Sequence, residues 1–232
     1  MVFTGVGNAA EGKINGVGAI NGGSYDDLSV DGVCTVSGDL DTKCFDVDGV
    51  CTCMGNVTAQ ACDCDGVLTI QGNLRAGTID IDGVVTVNGD KVEADRIDCD
   101  GMLSVDGEIS ADVIEADGKI NAREIVGDQL TIRSYWKNSG ILGTVFKVGE
   151  KAGMKYSVID LIEGTVVNLR GVRAKSVSGQ DVHIGKNCEI DRVEASGKLY
   201  IHPSSRVGEI LGDLEEKEEN QNPVLIPEKS GE

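Results

Sequence analysis

Six Asp-Gly pairs recur along this chain at almost constant spacing. They are Asp31-Gly32, Asp48-Gly49, Asp65-Gly66, Asp82-Gly83, Asp100-Gly101 and Asp117-Gly118. The intervals between successive glycines are 17, 17, 17, 18 and 17 residues, and a weaker copy begins at Asn15-Gly16. A repeat of this length, rich in Val, Ile and Gly, is too short for a helical repeat or a propeller blade. It predicts an all-β fold, a parallel β-helix (β-solenoid) whose stacked 17-residue coils bury a shared core.

Alternation within each coil predicts which side chains face that core. One inward column precedes each Asp-Gly pair, two follow it, a fourth lies later in the coil, and small residues form a corner. The columns are Val30, Val47, Cys64, Ile81 and Cys99; Cys34, Cys51, Leu68, Val85 and Leu103; Val36, Cys53, Ile70, Val87 and Val105; Phe45, Cys62, Ile79, Ile97 and Ile114; and Ala59, Ala76, Ala94 and Ala111. The single 18-residue coil predicts a β-bulge near Asp90-Lys91.

The regularity of the repeat divides the chain into five parts. We predict a flexible leader over 1–12, regular acidic coils over 13–122, an irregular section over 123–157, further coils over 158–212 and a disordered acidic tail over 213–232. The irregular section holds four of the eight Phe, Tyr and Trp residues, and a surface that docks a partner is an alternative interpretation of it.

The charge distribution excludes some partners. Residues 1–127 carry 23 acidic and 7 basic side chains, whereas residues 128–212 carry 9 and 12. Such an acidic first half argues against nucleic acid as a partner. No apolar run is long enough to span a membrane and the start lacks a signal peptide, so we expect a cytoplasmic protein. A short membrane foot at Val2 and Phe3 is an alternative that would make it membrane-associated.

The aspartates and cysteines allow structural and metal-binding interpretations. Asp46-x-Asp48, Asp63-x-Asp65 and their equivalents form two carboxylate columns, which predict turn hydrogen bonds, with Ca²⁺ or loose counterions as alternatives. Most cysteines replace Val, Ile or Leu of sister coils, which favours buried free thiols. A four-thiolate zinc site at Cys51-x-Cys53 and Cys62-x-Cys64, or a disulfide between Cys34 and Cys51, is less favoured. We therefore predict no metal and no cofactor.

Two outward columns predict a flat face on the solenoid, called the Val/Thr face below. It consists of Val33, Thr35, Val50, Thr52, Val67, Thr69, Val84 and Thr86. An ordinary solvated sheet explains such residues, and a lateral association surface is the alternative. Catalysis has little support, because His183 and His202 lie in different coils without a nucleophile at recognisable spacing. We therefore predict that the protein is not an enzyme.

The coil phrase and a later segment resemble the bactofilin family of bacterial polymer-forming proteins. The segment reads Val158-Ile-Asp-Leu-Ile-Glu-Gly164, Ala174-Lys-Ser-Val177 and Val182-His-Ile-Gly-Lys-Asn-Cys-Glu-Ile-Asp191, and the resemblance covers about residues 13–211. It implies a single-stranded right-handed β-helix that self-assembles without nucleotide into non-polar filaments. It also implies a cytoskeletal scaffold that positions cell-envelope or motility proteins. The chain is longer than the simplest members and has an interrupted middle.

The ends of a solenoid expose apolar cross-sections and unpaired backbone unless they are capped. The predicted polymer contacts are Ile14, Val17 and Ile20 at one end, and Leu199, Ile201, Val207, Ile210 and Leu211 at the other. The expected partners are copies of the chain itself, a paralogue as an alternative subunit, and cell-envelope or flagellar proteins. A non-polymerising adaptor that binds a partner on the Val/Thr face, and a β-solenoid enzyme acting on acyl groups or polysaccharides, are the alternatives.

Overall fold

A computed structural model describes residues 10–134, 156–212 and 216–217. These residues form strands and turns without a helix. The strands are β1 Ala10–Ile14, β2 Val17–Val30, β3 Val33–Val47, β4 Val50–Cys53, β5 Val57–Cys64, β6 Val67–Ile70, β7 Leu74–Ile81, β8 Val84–Val87, β9 Lys91–Cys99, β10 Met102–Val105, β11 Glu108–Ala116, β12 Lys119–Arg133, β13 Ser157–Arg170, β14 Val172–Ile184, β15 Glu189–Ala195, β16 Lys198–Ile201, β17 Arg206–Leu211 and β18 Glu216–Lys217.

Every strand pairs in parallel with the equivalent strand one coil away. Val50 of β4 lies beside Val33 of β3 and Val67 of β6, each 17 residues distant in sequence. The parallel sheet therefore winds into a β-solenoid of about 11 turns, as the Asp-Gly spacing predicts. In such a sheet, neighbouring coils stack about 4.8 Å apart along the solenoid axis.

The predicted inward columns are buried, which confirms the alternation read from the sequence. Phe45 is the largest side chain among the fully buried ones, and it stacks between Leu28 and Cys62 of the adjacent coils. Small and branched residues fill most of the other inward positions, because each inward side chain must stack on the equivalent side chain of the next coil. The single core runs through both sets of coils, from Ile14 to Leu199.

The glycine of each Asp-Gly pair lies where successive coils touch through their backbones. A Cβ atom added at Gly49, Gly66 or Gly83 would lie 2.0–2.1 Å from the carbonyl oxygen of the preceding coil's glycine. No side chain fits at that separation. The recurring glycine is therefore a steric requirement of coil stacking.

A second corner is held by side chains that bond the backbone of the next coil. Asp39 Oδ1 accepts the backbone N–H of Asn56 at 2.7 Å, and Asn56 Oδ1 accepts that of Asn73 at 2.9 Å. Asn73 Oδ1 in turn accepts the backbone N–H of Lys91 at 3.1 Å. This ladder satisfies turn N–H groups that would otherwise lack a partner within the fold.

The extra residue of the long coil lies in a turn. Val87 pairs with Ile70 at an offset of 17 residues, whereas Val92 pairs with Leu74 at an offset of 18. The added residue is therefore accommodated between Val87 and Val92, across the bend at 88–90 that separates β8 from β9. The register of β7 with β9 is continuous, so the predicted strand bulge is replaced by a longer turn.

The strands extend beyond the boundaries predicted from the sequence. β1 begins at Ala10, inside the predicted leader, and β12 continues to Arg133, inside the predicted irregular section. Arg123–Arg133 lacks the Asp-Gly phrase but keeps the alternation, with Ile125, Leu130 and Ile132 buried. The remainder of the leader (1–9), of the irregular section (135–155) and of the tail (213–215 and 218–232) lies outside the described residues.

Two serines join the last described coil before residue 135 to the first described coil after residue 155. The Ser134 and Ser157 hydroxyl oxygens lie 2.6 Å apart, and the Ser157 N–H donates to Ser134 Oγ at 3.0 Å. Ser157 Oγ also accepts the N–H of Ile120 at 2.9 Å, and Ser157 is fully buried. β12 therefore pairs directly with β13, and the coil stack continues across residues 135–155.

Candidate assembly surfaces

The Val/Thr face lies on the outside of the solenoid, at the positions predicted from the alternation. Its valines pair in register from Val33 to Val84, and its threonines from Thr35 to Thr86. Val33 and Val50 are 47% and 44% exposed, and Val17, one coil earlier, is 81% exposed. The apolar column is therefore open to solvent over several coils.

The N-terminal end is partly closed by an aromatic ring. Tyr25 occupies the inward column that holds Thr42 and Ala59 in the next two coils. It packs against the core, and its hydroxyl donates to the backbone oxygen of Asn21 at 2.9 Å. Of the predicted contacts at this end, Ile14 and Ile20 are buried, whereas Val17 is exposed.

The C-terminal end presents more apolar surface. Ile201 and Val207 pack against the core while remaining partly exposed, Leu211 is half-buried and Ile210 is 39% exposed. Leu199 is buried, and β18 pairs with Lys198 and Leu199 of β16. Within the part of the chain that the structure describes, β17 pairs only with β15, so its other edge is unpaired.

The two carboxylate columns run along the first half of the solenoid. Asp46, Asp63, Asp80 and Asp98 pair in register, and Glu115 follows them. Burial raises the pKa of Asp63, and the carboxylates of Asp65 and Asp80 raise it further. Arg133 ends both columns, because its guanidinium lies 3.5 Å from Glu115 and donates to Asp117 at 3.2 Å.

The hydrogen bonds between side chains and turn N–H groups lie at a different corner of the coil from the one predicted. In the described coils, no hydrogen bond joins the side chain of Asp48, Asp65 or Asp82 to a backbone N–H, and the side-chain ladder uses Asp39 and the asparagines instead. The spacing of 17 residues between positions 39, 56 and 73 was the signal in the sequence that could have revealed that ladder. No group of three or more acidic, His or Cys side chains in the described ranges has the geometry to hold a metal ion.

The cysteines behave as small core residues, as the sequence predicts. Seven of the eight are buried, all are free, and Cys44 is exposed. Burial raises the pKa of the Cys99 thiol to about 12, and the neighbouring Asp100 and Asp98 carboxylates raise it too. The Cys99 thiol is therefore protonated at neutral pH and a poor nucleophile.

The two histidines lie in the C-terminal coils, and each contacts a neighbouring side chain or backbone group. The ring of His183 stacks on that of Tyr200, with centroids 4.3 Å apart. Burial and the nearby His202 lower the pKa of His183, so its imidazole is neutral at physiological pH. His202 Nδ1 accepts the backbone N–H of Ser204 at 3.0 Å. The Ser204 hydroxyl oxygen also lies 2.9 Å from His202 Nδ1, and it accepts the backbone N–H of Asn187 at 3.3 Å.

Comparison with known proteins gives one short match. A stretch of 48 residues is 46% identical to the uncharacterized protein YhbE of Bacillus subtilis (strain 168), and it covers 21% of this chain and 20% of that protein. No model of a known protein family matches the chain, and no solved structure does. Among the described residues, no helix has the length and apolar character needed to cross a membrane.

Proposed function

We propose that this protein is a non-enzymatic cytoskeletal scaffold. Its solenoids dock end to end, without nucleotide, into filaments that position cell-envelope or motility proteins. The observation that carries the proposal is the C-terminal end, where apolar side chains and an unpaired strand edge are presented together. A second solenoid docked on this end would cover both.

The energetics of the end favour such docking. Ile201, Val207 and Ile210 belong to columns that are buried in the preceding coils, where Ile184, Ile190 and Val193 occupy the equivalent positions. Burying apolar surface contributes about 25 cal/mol per Å². The exposed backbone of β17 gains hydrogen bonds at the same time.

The resemblance to the bactofilin family supports the same function. The residues that carry it, including Ala174–Val177 and Val182–Asp191, lie in β14, β15 and their connection, directly before the C-terminal end. The family is expected to form non-polar filaments, in which like ends meet. The greater apolar exposure of the C-terminal end makes it the stronger contact.

Electron microscopy of purified protein tests the proposal. We expect negatively stained wild-type protein to form filaments, and the double variant Ile201→Lys/Val207→Lys to lose them while its β-rich circular dichroism is kept. The matched control is Val33→Lys/Val50→Lys, which places the same charges on a side face and leaves the filaments intact. Wild-type particles that remain monomeric at micromolar concentration would contradict the proposal.

A non-polymerising adaptor is the second candidate function. It is favoured by the exposed valine column of the Val/Thr face, which a partner could cover. A stable monomer that binds its partner through this face would support the adaptor in place of the filament.

A further inference from the structure

The Val/Thr face is bordered by carboxylates of the Asp-Gly corner. Asp31, Asp48, Asp65 and Asp82 each lie two residues before a valine of the face. In the described coils, no ion pair or hydrogen bond reaches the side chain of Asp48, Asp65 or Asp82. At the two ends of the column, Lys13 lies 3.1 Å from Asp31 and Arg133 contacts Asp117.

The combination of charge and apolar surface constrains what can cover this face. A second copy docked face to face would place two aspartate columns in one interface, which adds repulsion instead of offsetting it. A partner must instead carry cations next to an apolar stripe. Its apolar residues must also match a column that repeats about every 4.8 Å.

An α-helix fits this repeat better than other regular conformations. One helical turn rises about 5.4 Å, so residues at i, i+4, i+7 and i+11 place one apolar side chain near each successive coil. An extended strand brings side chains to one side only about every 6.8 Å. A polyproline helix does so about every 9.3 Å, and therefore skips alternate coils.

We propose that the Val/Thr face is the docking surface for a basic amphipathic helix of a partner protein. Its apolar stripe lies along the column from Val33 to Val84, and its Lys or Arg side chains pair with Asp48, Asp65 and Asp82. The side faces of an end-to-end filament stay free, so this docking is independent of the proposed polymer contacts. It also gives the repeated aspartates a function that their turns do not require.

Two synthetic peptides test the proposal in a fluorescence anisotropy titration with the full chain. The probe is an 18-residue helical peptide with Leu at i, i+4, i+7 and i+11 and Lys along one flank. The second peptide has the same composition in scrambled order, without an apolar stripe. We expect the scrambled peptide to bind at least about tenfold more weakly, because it keeps the charge but loses the apolar contact.

Protein variants distinguish peptide binding at this face from non-specific attraction to an acidic chain. We expect Asp65→Asn/Asp82→Asn to weaken binding of the helical peptide about three- to tenfold, since each exposed ion pair contributes modestly. Val33→Thr/Val50→Thr, which changes no charge, should also weaken it severalfold. The matched control Asp41→Asn/Asp112→Asn removes two exposed carboxylates away from the face and should stay within about twofold of wild type. Circular dichroism verifies that each variant is folded.

Three outcomes would overturn the proposal. Equal affinity for both peptides would show that binding reflects only the net charge of −18. A control variant as weak as Asp65→Asn/Asp82→Asn would mean that the aspartate column has no special role. Loss of self-association in Val33→Thr/Val50→Thr, without loss of peptide binding, would assign the face to a second copy of the chain.

Discussion

Repulsion between neighbouring aspartates of the carboxylate columns raises the free energy of the folded state. Asp63 lies between Asp46 and Asp80 of adjacent coils, and burial together with these carboxylates raises its pKa. Like charges at the coil spacing repel by about 0.9 kcal/mol in bulk water. In the described coils, no hydrogen bond from a turn N–H to Asp48, Asp65 or Asp82 offsets this repulsion, so these charges reduce the stability of the isolated protein at neutral pH.

The stability of the fold should therefore depend on pH through these residues. A carboxyl group whose pKa is higher in the folded than in the unfolded state contributes its full stabilisation at pH values below its unfolded-state pKa. This contribution is lost as the pH rises through the folded-state pKa. The same direction holds for Asp46 and Asp82. We expect the melting temperature to rise when the pH is lowered from about 7 to about 5.

Substitution of one column member isolates the effect. Asp63→Asn should raise the melting temperature at about pH 7 by about 1–2 °C and weaken its pH dependence, because exposed charge pairs contribute less than about 1 kcal/mol. Asp41→Asn is the control, since Asp41 lies between Ser24 and Thr58 in adjacent coils. Added salt should raise the wild-type melting temperature by screening. A melting temperature that is flat across pH and salt would mean that the carboxylates are already satisfied.

At the scale of the coil, backbone contact at the Asp-Gly corner sets the repeat. Gly66→Ala would place a Cβ atom 2.0 Å from the Gly49 carbonyl oxygen and force two coils apart. We expect a loss of about 1–3 kcal/mol in the free energy of unfolding, as for other overpacked sites. Gly16→Ala is the matched control, because no atom lies within 4 Å of the added carbon.

Thermal and urea denaturation followed by circular dichroism measures both glycine variants. If Gly66→Ala is as stable as Gly16→Ala, the stacking geometry described here is wrong. A selective loss in Gly66→Ala would instead explain why the Asp-Gly phrase recurs in every regular coil.

The sequence predicted the coils well because their inward positions repeat at a fixed spacing. Columns such as Val47, Cys64 and Ile81 follow from alternation alone. The continuation of the coils to Arg133 was missed because that segment lacks the phrase used to recognise a coil. Alternation at Ile125, Leu130 and Ile132 could have revealed it.

The candidate surfaces were predictable to a lesser degree. The Val/Thr face follows from the outward alternation, and the structure places it as expected. The position of Tyr25 near the N-terminal end was not predictable, because the next two coils carry Thr42 and Ala59 at that position. The pairing of Leu199 with β18 was not predictable either, because β18 is a strand of two residues with no repeat signal.

For the whole molecule, the proposed function gives the ends and the side face separate roles. Within the described residues, the C-terminal end combines apolar side chains with an unpaired edge of β17, whereas the acidic first half carries the Val/Thr face. End-to-end docking would leave that face accessible in every subunit. Under this proposal, one chain would both build a filament and present a repeated docking surface.

The direction of the coils within the filament tests the central claim most directly. We would record fibre diffraction from aligned wild-type filaments. End-to-end docking places the solenoid axis along the filament, so the coil spacing of about 4.8 Å should appear on the meridian. With about 11 turns per chain and like ends meeting, the filament should repeat every two chains, at about 105 Å. A 4.8 Å reflection on the equator would mean that the solenoids associate side by side, and would contradict the account.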